Sequence, residues 1–292
     1  MGKPGSDRFL NCVLRRSDKD TVMLIVVLIL VIVGTPCQTI CRYYELYTIV
    51  GGLPDVDDVY TLALFMGATT LFVIYRMISA LVSHHARDVE WMSALIEYAG
   101  SEGKDVSEME SLRAKMEATV DAKHGRYALC VFIVMAALIL LATIKYSVSE
   151  TISLEQDMIV EFFLITVVQI LLCVANLYVY DRMIKTDRIQ CEFTERFSDC
   201  MSDGWPVIGP MTTNIRAHSI LPHMILMIIT LGIYAIPFTL WTVHTLNIHI
   251  NRQWGYEEDV VKWMMTRDGA SSIKAVKKDE PSSRFDAVKR LF

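Results

Sequence analysis

The chain reads as an all-α polytopic integral membrane protein. It has three transmembrane helical hairpins (six passes, the last short) with cytoplasmic amphipathic helical extensions. Three observations predict this. The 292 residues are 53% hydrophobic with a mean hydropathy of +0.36, and the apolar residues fall in long runs of the kind that cross bilayers. Behind the second, fourth and last runs, apolar residues recur at helical spacing with charges between them. Finally, if 219–250 passes twice, 26 of the 28 Lys and Arg lie on one side, as the positive-inside rule requires.

The elements follow in order. Residues 1–20 form a cytoplasmic N-terminal tail, with Arg15 and Arg16 ahead of an apolar run from Val22 to Val33. That run is too short to cross alone, so helix is expected past a kink at Pro36. Tyr43, Tyr44 and Tyr47 suit an interface. Gly51, Gly52 and Pro54 break the chain, and Asp55, Asp57 and Asp58 open the next helix, where acidic groups complement its dipole. The second span, about 59–77, continues into water on a stripe of Ile78, Leu81, Val82, Val89, Met92 and Ile96, ending at Gly100 and Gly103. These make 21–100 the first hairpin with its extension.

Residues 101–124 form a cytoplasmic amphipathic helix. Asp105 stands where an N-cap would, with Glu108 three residues on as in a capping box. Val106, Met109, Leu112, Met116 and Val120 line one face. Residues 125–204 are the second hairpin, with Ile189, Phe193, Phe197, Cys200 and Met201 on one side of its overrun. Residues 205–269 are the third, short hairpin, whose extension carries Tyr256, Val260, Trp263 and Met264. Residues 270–292 are a basic tail with the composition of a disordered segment.

Topology turns on 219–250. As one helix its 32 residues would run about 48 Å, whereas two full crossings need roughly 40 residues. Length therefore favours one pass; charge favours two, with Gly232 and Pro237 as the break. Two passes put both termini in the cytoplasm and expose a repeat. Arg16, Arg126 and Arg216 each precede a hairpin whose return helix overruns into water.

Thr230, Gly232, Ile233 and Tyr234, between two apolar stretches and before HINRQWGYEEDV, resemble a small prokaryotic membrane domain of unknown function. Its signature is a Thr-x-Gly-Ile-Tyr hairpin turn. The resemblance covers about 45 residues of the third hairpin, and it implies a membrane hairpin and a prokaryotic source. It implies no chemistry.

Histidine is the suggestive residue for chemistry. His218, His223, His244 and His249 would lie at related depths if the segment folds near Ala235, and facing imidazoles bind haem iron or a transition metal. The alternative is that they bond neighbouring backbone or headgroups. Glu161, in the fourth span, suits a cation or proton site in a small-solute or ion conduit, or an interfacial carboxylate reaching headgroups. Gln169 and Asn176, seven apart, suit helix–helix hydrogen bonds. His84 and His85 with Asp88 and Glu90 resemble a ligand cluster but read better as a solvated helix face. Cys37 and Cys41, four apart, could form a disulfide or a metal contact but read better as two packed thiols. No phosphate loop, nucleophile elbow or HExxH occurs in the sequence, and no cofactor is called for. The net charge of −5, without a basic stripe, argues against nucleic acid. The expectation is a non-enzymatic protein of the cell membrane. Its partners would be the lipid bilayer and a cytoplasmic protein or a second copy, and it would act as a scaffold or accessory subunit through its cytoplasmic helices.

Overall fold

The computed structural model describes residues 5–16, 20, 47, 57–148, 154–202, 208–212, 215, 219–230 and 234–268. Their regular elements are all α-helices: α1 Ser6–Leu14, α2 Asp57–Ser101, α3 Ser107–Glu117, α4 Lys123–Val148, α5 Leu154–Cys200, α6 Ile220–Ile229 and α7 Ala235–Asp268. The first apolar run, Cys37, Cys41, Gly232 and the basic tail lie outside the described residues.

Three long helices, α2, α5 and α7, run parallel. Asp88–Gln253 and Glu102–Arg267 are both pairs 165 residues apart. Asn176–Thr239 and Gln190–Gln253 are both 63 apart. A constant offset over several turns means the helices advance in step. The reverse holds for α4, which packs antiparallel to α2: Phe132 stacks on Tyr75 at 5.7 Å, while Gly125 lies against Val82.

Along these helices the interior changes character. One core joins Leu71–Leu81 of α2, Val168–Met183 of α5 and Phe238–Trp254 of α7. A second joins Trp91–Ala99, Phe193–Met201 and Tyr256–Met264, with α1 and α3 packed on it. The outer surface changes with it. Around the first core Val134, Leu141, Phe163, Ile170, Val174 and Ile229 are more than half exposed. Around the second, Arg8–Glu97, Arg16–Glu258, Arg196–Glu108 and Arg267–Glu102 pair on the outside. Two helices among the described residues, 123–142 and 166–200, are long and apolar enough to cross a membrane.

The stretch expected as a polar tail is folded. Phe9 is fully buried 6.4 Å from Trp91. The approach is close enough that a Cβ on Gly5 would fall 2.5 Å from the Tyr98 nitrogen, and Gly5 holds a φ of +86°, which glycine alone adopts cheaply. The capping box expected at Asp105 does not form. Val106 is the N-cap, and Asp105 instead accepts a bond from the Ser107 N–H at 3.0 Å, while Glu108 reaches Arg196.

The chain reverses between α6 and α7. The His223 and Phe238 rings are 4.5 Å apart, whereas fifteen residues of continuous helix would separate them by about 22 Å. The Tyr234 N–H donates to Thr230 Oγ1, tying the turn. With ten residues, α6 is about 15 Å long, roughly half the hydrocarbon thickness.

Candidate functional site

Where the two cores meet, the stripes on α2, α5 and α7 turn polar without leaving the interior. On α2 the positions in phase with Met77 and Leu81 before them and Trp91 and Leu95 after them are His84 and Asp88. On α5 Asp187 and Gln190 stand between Met183 and Phe193. On α7 His249, Gln253 and Glu257 stand between Leu246 and Val260. All seven are buried, as are Arg87 and Asp20.

The groups form one network. Arg87, fully enclosed, sends its Nε to Asp20 Oδ1 at 3.0 Å and Nη1 to Glu257 Oε1 at 2.6 Å. Asp20 also accepts from the Trp254 indole at 2.6 Å and faces His84 Nδ1 at 2.9 Å. Gln253 donates to Asp88 Oδ1 at 2.6 Å and to Glu257 Oε1 at 3.1 Å. The second histidine, His249, lies across from His84 with ring centroids 5.3 Å apart, its Nδ1 held 3.0 Å from Asp187 Oδ1. Arg252 approaches the same oxygen at 3.8 Å from the edge.

Several buried atoms of this network have no hydrogen-bond partner, among them Gln190 Oε1 and Glu257 Oε2, and three of them, His84 Nε2, Asp88 Oδ2 and His249 Nε2, belong to side chains that meet one another. The same three residues each present a ligand atom within 4.8 Å of the others, with His84 Nε2 and Asp88 Oδ2 at 3.6 Å. Two imidazoles and a carboxylate so placed are a donor set for a transition metal.

Charge shapes the protonation. Burial pushes the Asp20 carboxyl up, but His84, Arg87 and Trp254 outweigh it and hold it below the usual carboxylate range. Burial pushes the His84 imidazole down, and Asp88 and Asp20 overcome that and hold it above its ordinary value. Glu257 goes the other way: burial raises it to about 7 despite Arg87.

No family model matches the chain, nor does any curated protein or solved structure. The Thr230–Tyr234 motif therefore brings no assignment.

The histidines singled out in the sequence are dispersed. His218 lies outside the described residues. His223 is buried in an aromatic cage, its Nδ1 2.9 Å from the Tyr234 hydroxyl and its ring stacked on Phe238 and tilted against Trp241. His244 is exposed. Of the three in the described residues, only His249 of α7 reaches the network. The reading of His84, His85 and Asp88 as a solvated face is corrected: these residues are 2%, 5% and 0% exposed, because Asp20 and the His249 and Gln253 side chains of α7 lie against His84 and Asp88 and Glu117 of α3 lies against His85. Glu161 lies on α5, with its side chain outside the description. Asn176 donates to Thr239 Oγ1 at 2.7 Å, the interhelical bond its spacing suggested.

Asp20, Arg87, Asp187, Gln190, Gln253 and Glu257 were not singled out. A partial signal exists for five of them, since α2, α5 and α7 each carry polar residues at core-phase positions just past the end of an apolar run, but none marks Asp20 or shows that these positions are enclosed.

Proposed function

We propose that the protein is a multi-pass membrane protein of six passes with both termini cytoplasmic. In this reading it acts without catalysis, as a scaffold or accessory subunit through the helical bundle outside the bilayer. One observation carries the reading. The same three helices are wrapped in exposed Leu, Ile, Val and Phe over one half and in ion pairs over the other. A monomer in water does not present so continuous an apolar surface; lipid satisfies it, and the paired half suits water and a protein partner.

Support for the common side of the termini comes from Arg16, which pairs with Glu258 at 2.9 Å, and from Phe9 and Met264, which enter one core. The short α6 suits a third hairpin that enters the bilayer without a full first crossing. The buried network suits a joint that fixes the bundle's angle to the membrane.

The test is side-specific labelling. A cysteine placed near residue 280 should resist an impermeant reagent in intact cells and react after lysis. Labelling from outside overturns the topology. Mild detergent extraction and gel filtration should recover the chain with a stoichiometric protein partner or a second copy, and recovery as a lone chain from native membranes counts against the scaffold.

A further inference from the structure

We propose that His84, Asp88 and His249 bind one divalent first-row transition ion, of the zinc or ferrous type, which ties α2 to α7 where the two cores meet.

Geometry comes first. His84 and Asp88 are four apart on α2, so one helical face presents both. His249 is brought opposite by the parallel, in-step packing of α7. The 3.6 Å between His84 Nε2 and Asp88 Oδ2 is close to the roughly 3.3 Å between two ligands about 2.05 Å from a tetrahedral ion.

Orientation is the second argument. Metal-bound histidines characteristically give their other ring nitrogen to a carboxylate, which fixes the tautomer and raises ligand basicity. Both histidines do so here: His84 Nδ1 faces Asp20 at 2.9 Å and His249 Nδ1 faces Asp187 at 3.0 Å. In that tautomer the two Nε2 atoms are acceptors, buried and without a hydrogen bond, as is Asp88 Oδ2, which lies 3.6 Å from His84 Nε2. Three such atoms carry a desolvation cost unless something occupies the space between them.

Charge is the third. Asp20, Asp88, Asp187 and Glu257 are four enclosed carboxylates, against Arg87 within and Arg252 at the edge. With neutral imidazoles the three aspartates outnumber the two arginines by one, and Glu257, pushed up to about 7 by burial, adds at most one more negative charge, a surplus that favours a cation. Two nitrogens with one oxygen favour zinc or ferrous iron over calcium or magnesium, which take oxygen sets. Ligands drawn from helices far apart in sequence make the ion a clamp between them. This inference does not rest on the scaffold reading, and either can fail alone.

The test uses the full chain in detergent or nanodiscs, stripped with chelator and then offered Zn2+, Fe2+ under anaerobic conditions, or Co2+, each alone. About one ion per chain should survive gel filtration, with Co2+ giving a visible d–d absorption that Zn2+ abolishes and excess Mg2+ or Ca2+ does not. Asp88→Asn and His249→Ala should each weaken binding by at least about 100-fold, and Asp187→Asn by about 10- to 100-fold. His244→Ala should bind as the unaltered protein does. A folded, stripped chain that retains none of the three ions overturns the proposal and leaves an imidazolium–carboxylate network. So does displacement of Co2+ by Mg2+ or Ca2+, or full affinity in Asp88→Asn and His249→Ala. Should those variants fail to fold, the retention and competition measurements on the unaltered chain still decide.

Discussion

The two halves of α2, α5 and α7 hold their interiors together in similar ways and differ mainly on the outside. In one half, Met77, Val179 and Phe238 pack inward while Phe163 and Val174 of α5 and Val134 of the adjoining α4 face out. In the other, Trp91, Phe197 and Val260 pack inward while arginines and glutamates face out. Close packing serves both, but the outer surface is set by the solvent each half meets. Between them the interior itself is charged, and there the three helices are fixed in register by directional bonds and not by shape alone.

The strongest way to break this contrast is at the joint. Arg87→Met removes the cation that Asp20 and Glu257 share. Stranding buried carboxylates costs about 3–5 kcal/mol. The expected result is a large loss of thermal stability in detergent, with both halves melting at lower temperature. A loss confined to surface values, below about 0.5 kcal/mol, would mean the joint is not closed.

The outer surfaces can be exchanged next. Val134→Lys, in the middle of the candidate span 123–142, should cost about 2.5–3.5 kcal/mol of insertion, read as reduced membrane-integrated protein in a glycosylation-reporter assay. Lysine at the exposed Glu195 of the other half should change little. Equal effects at both positions would erase the distinction between the halves.

Acidity sharpens the joint in a third way, tested on chelator-treated protein. Glu257 titrates near 7 in the folded chain and at an ordinary carboxylate value near 4.5 when unfolded. Its raised value means that the neutral form is preferred on folding. The associated stability is complete below about 4.5 and is lost as pH rises through 7. Glu257 faces Arg87 and Asp88 of α2, Asp20, and Gln253 of its own helix. Glu257→Gln should flatten the fall in melting temperature between pH 5 and 8, by an amount on the order of 2–3 kcal/mol. An unchanged slope would assign the fall to other groups. The smallest effect is expected in the apolar-faced half: Asn176→Ala loses the bond to Thr239, worth about 0.6 kcal/mol on the average for such bonds in bilayers. A loss above about 2 kcal/mol would make that bond a second joint.

Much of the fold was legible from spacing. The long helices α2, α5 and α7, the face of α3 from Met109 to Met116, and the interhelical role of Asn176 all follow from periods of 3.6 and from runs of apolar residues, which are local properties. The reversal at 230–234 was half legible. Charge argued for it and length against; the structure shows the reversal, with an α6 of only ten residues.

The joint was not legible in the same way, although its members sit at core-phase positions. A histidine and an aspartate four apart are equally compatible with water and with a packed interior. The sequence near His84 carries no mark of Asp20, sixty-four residues before it, or of His249, far beyond. Local pattern determined where helices run and which faces are apolar, because those depend on neighbours within a turn or two. Tertiary packing alone decided which polar residues are enclosed, because enclosure depends on what another helix brings to the same depth.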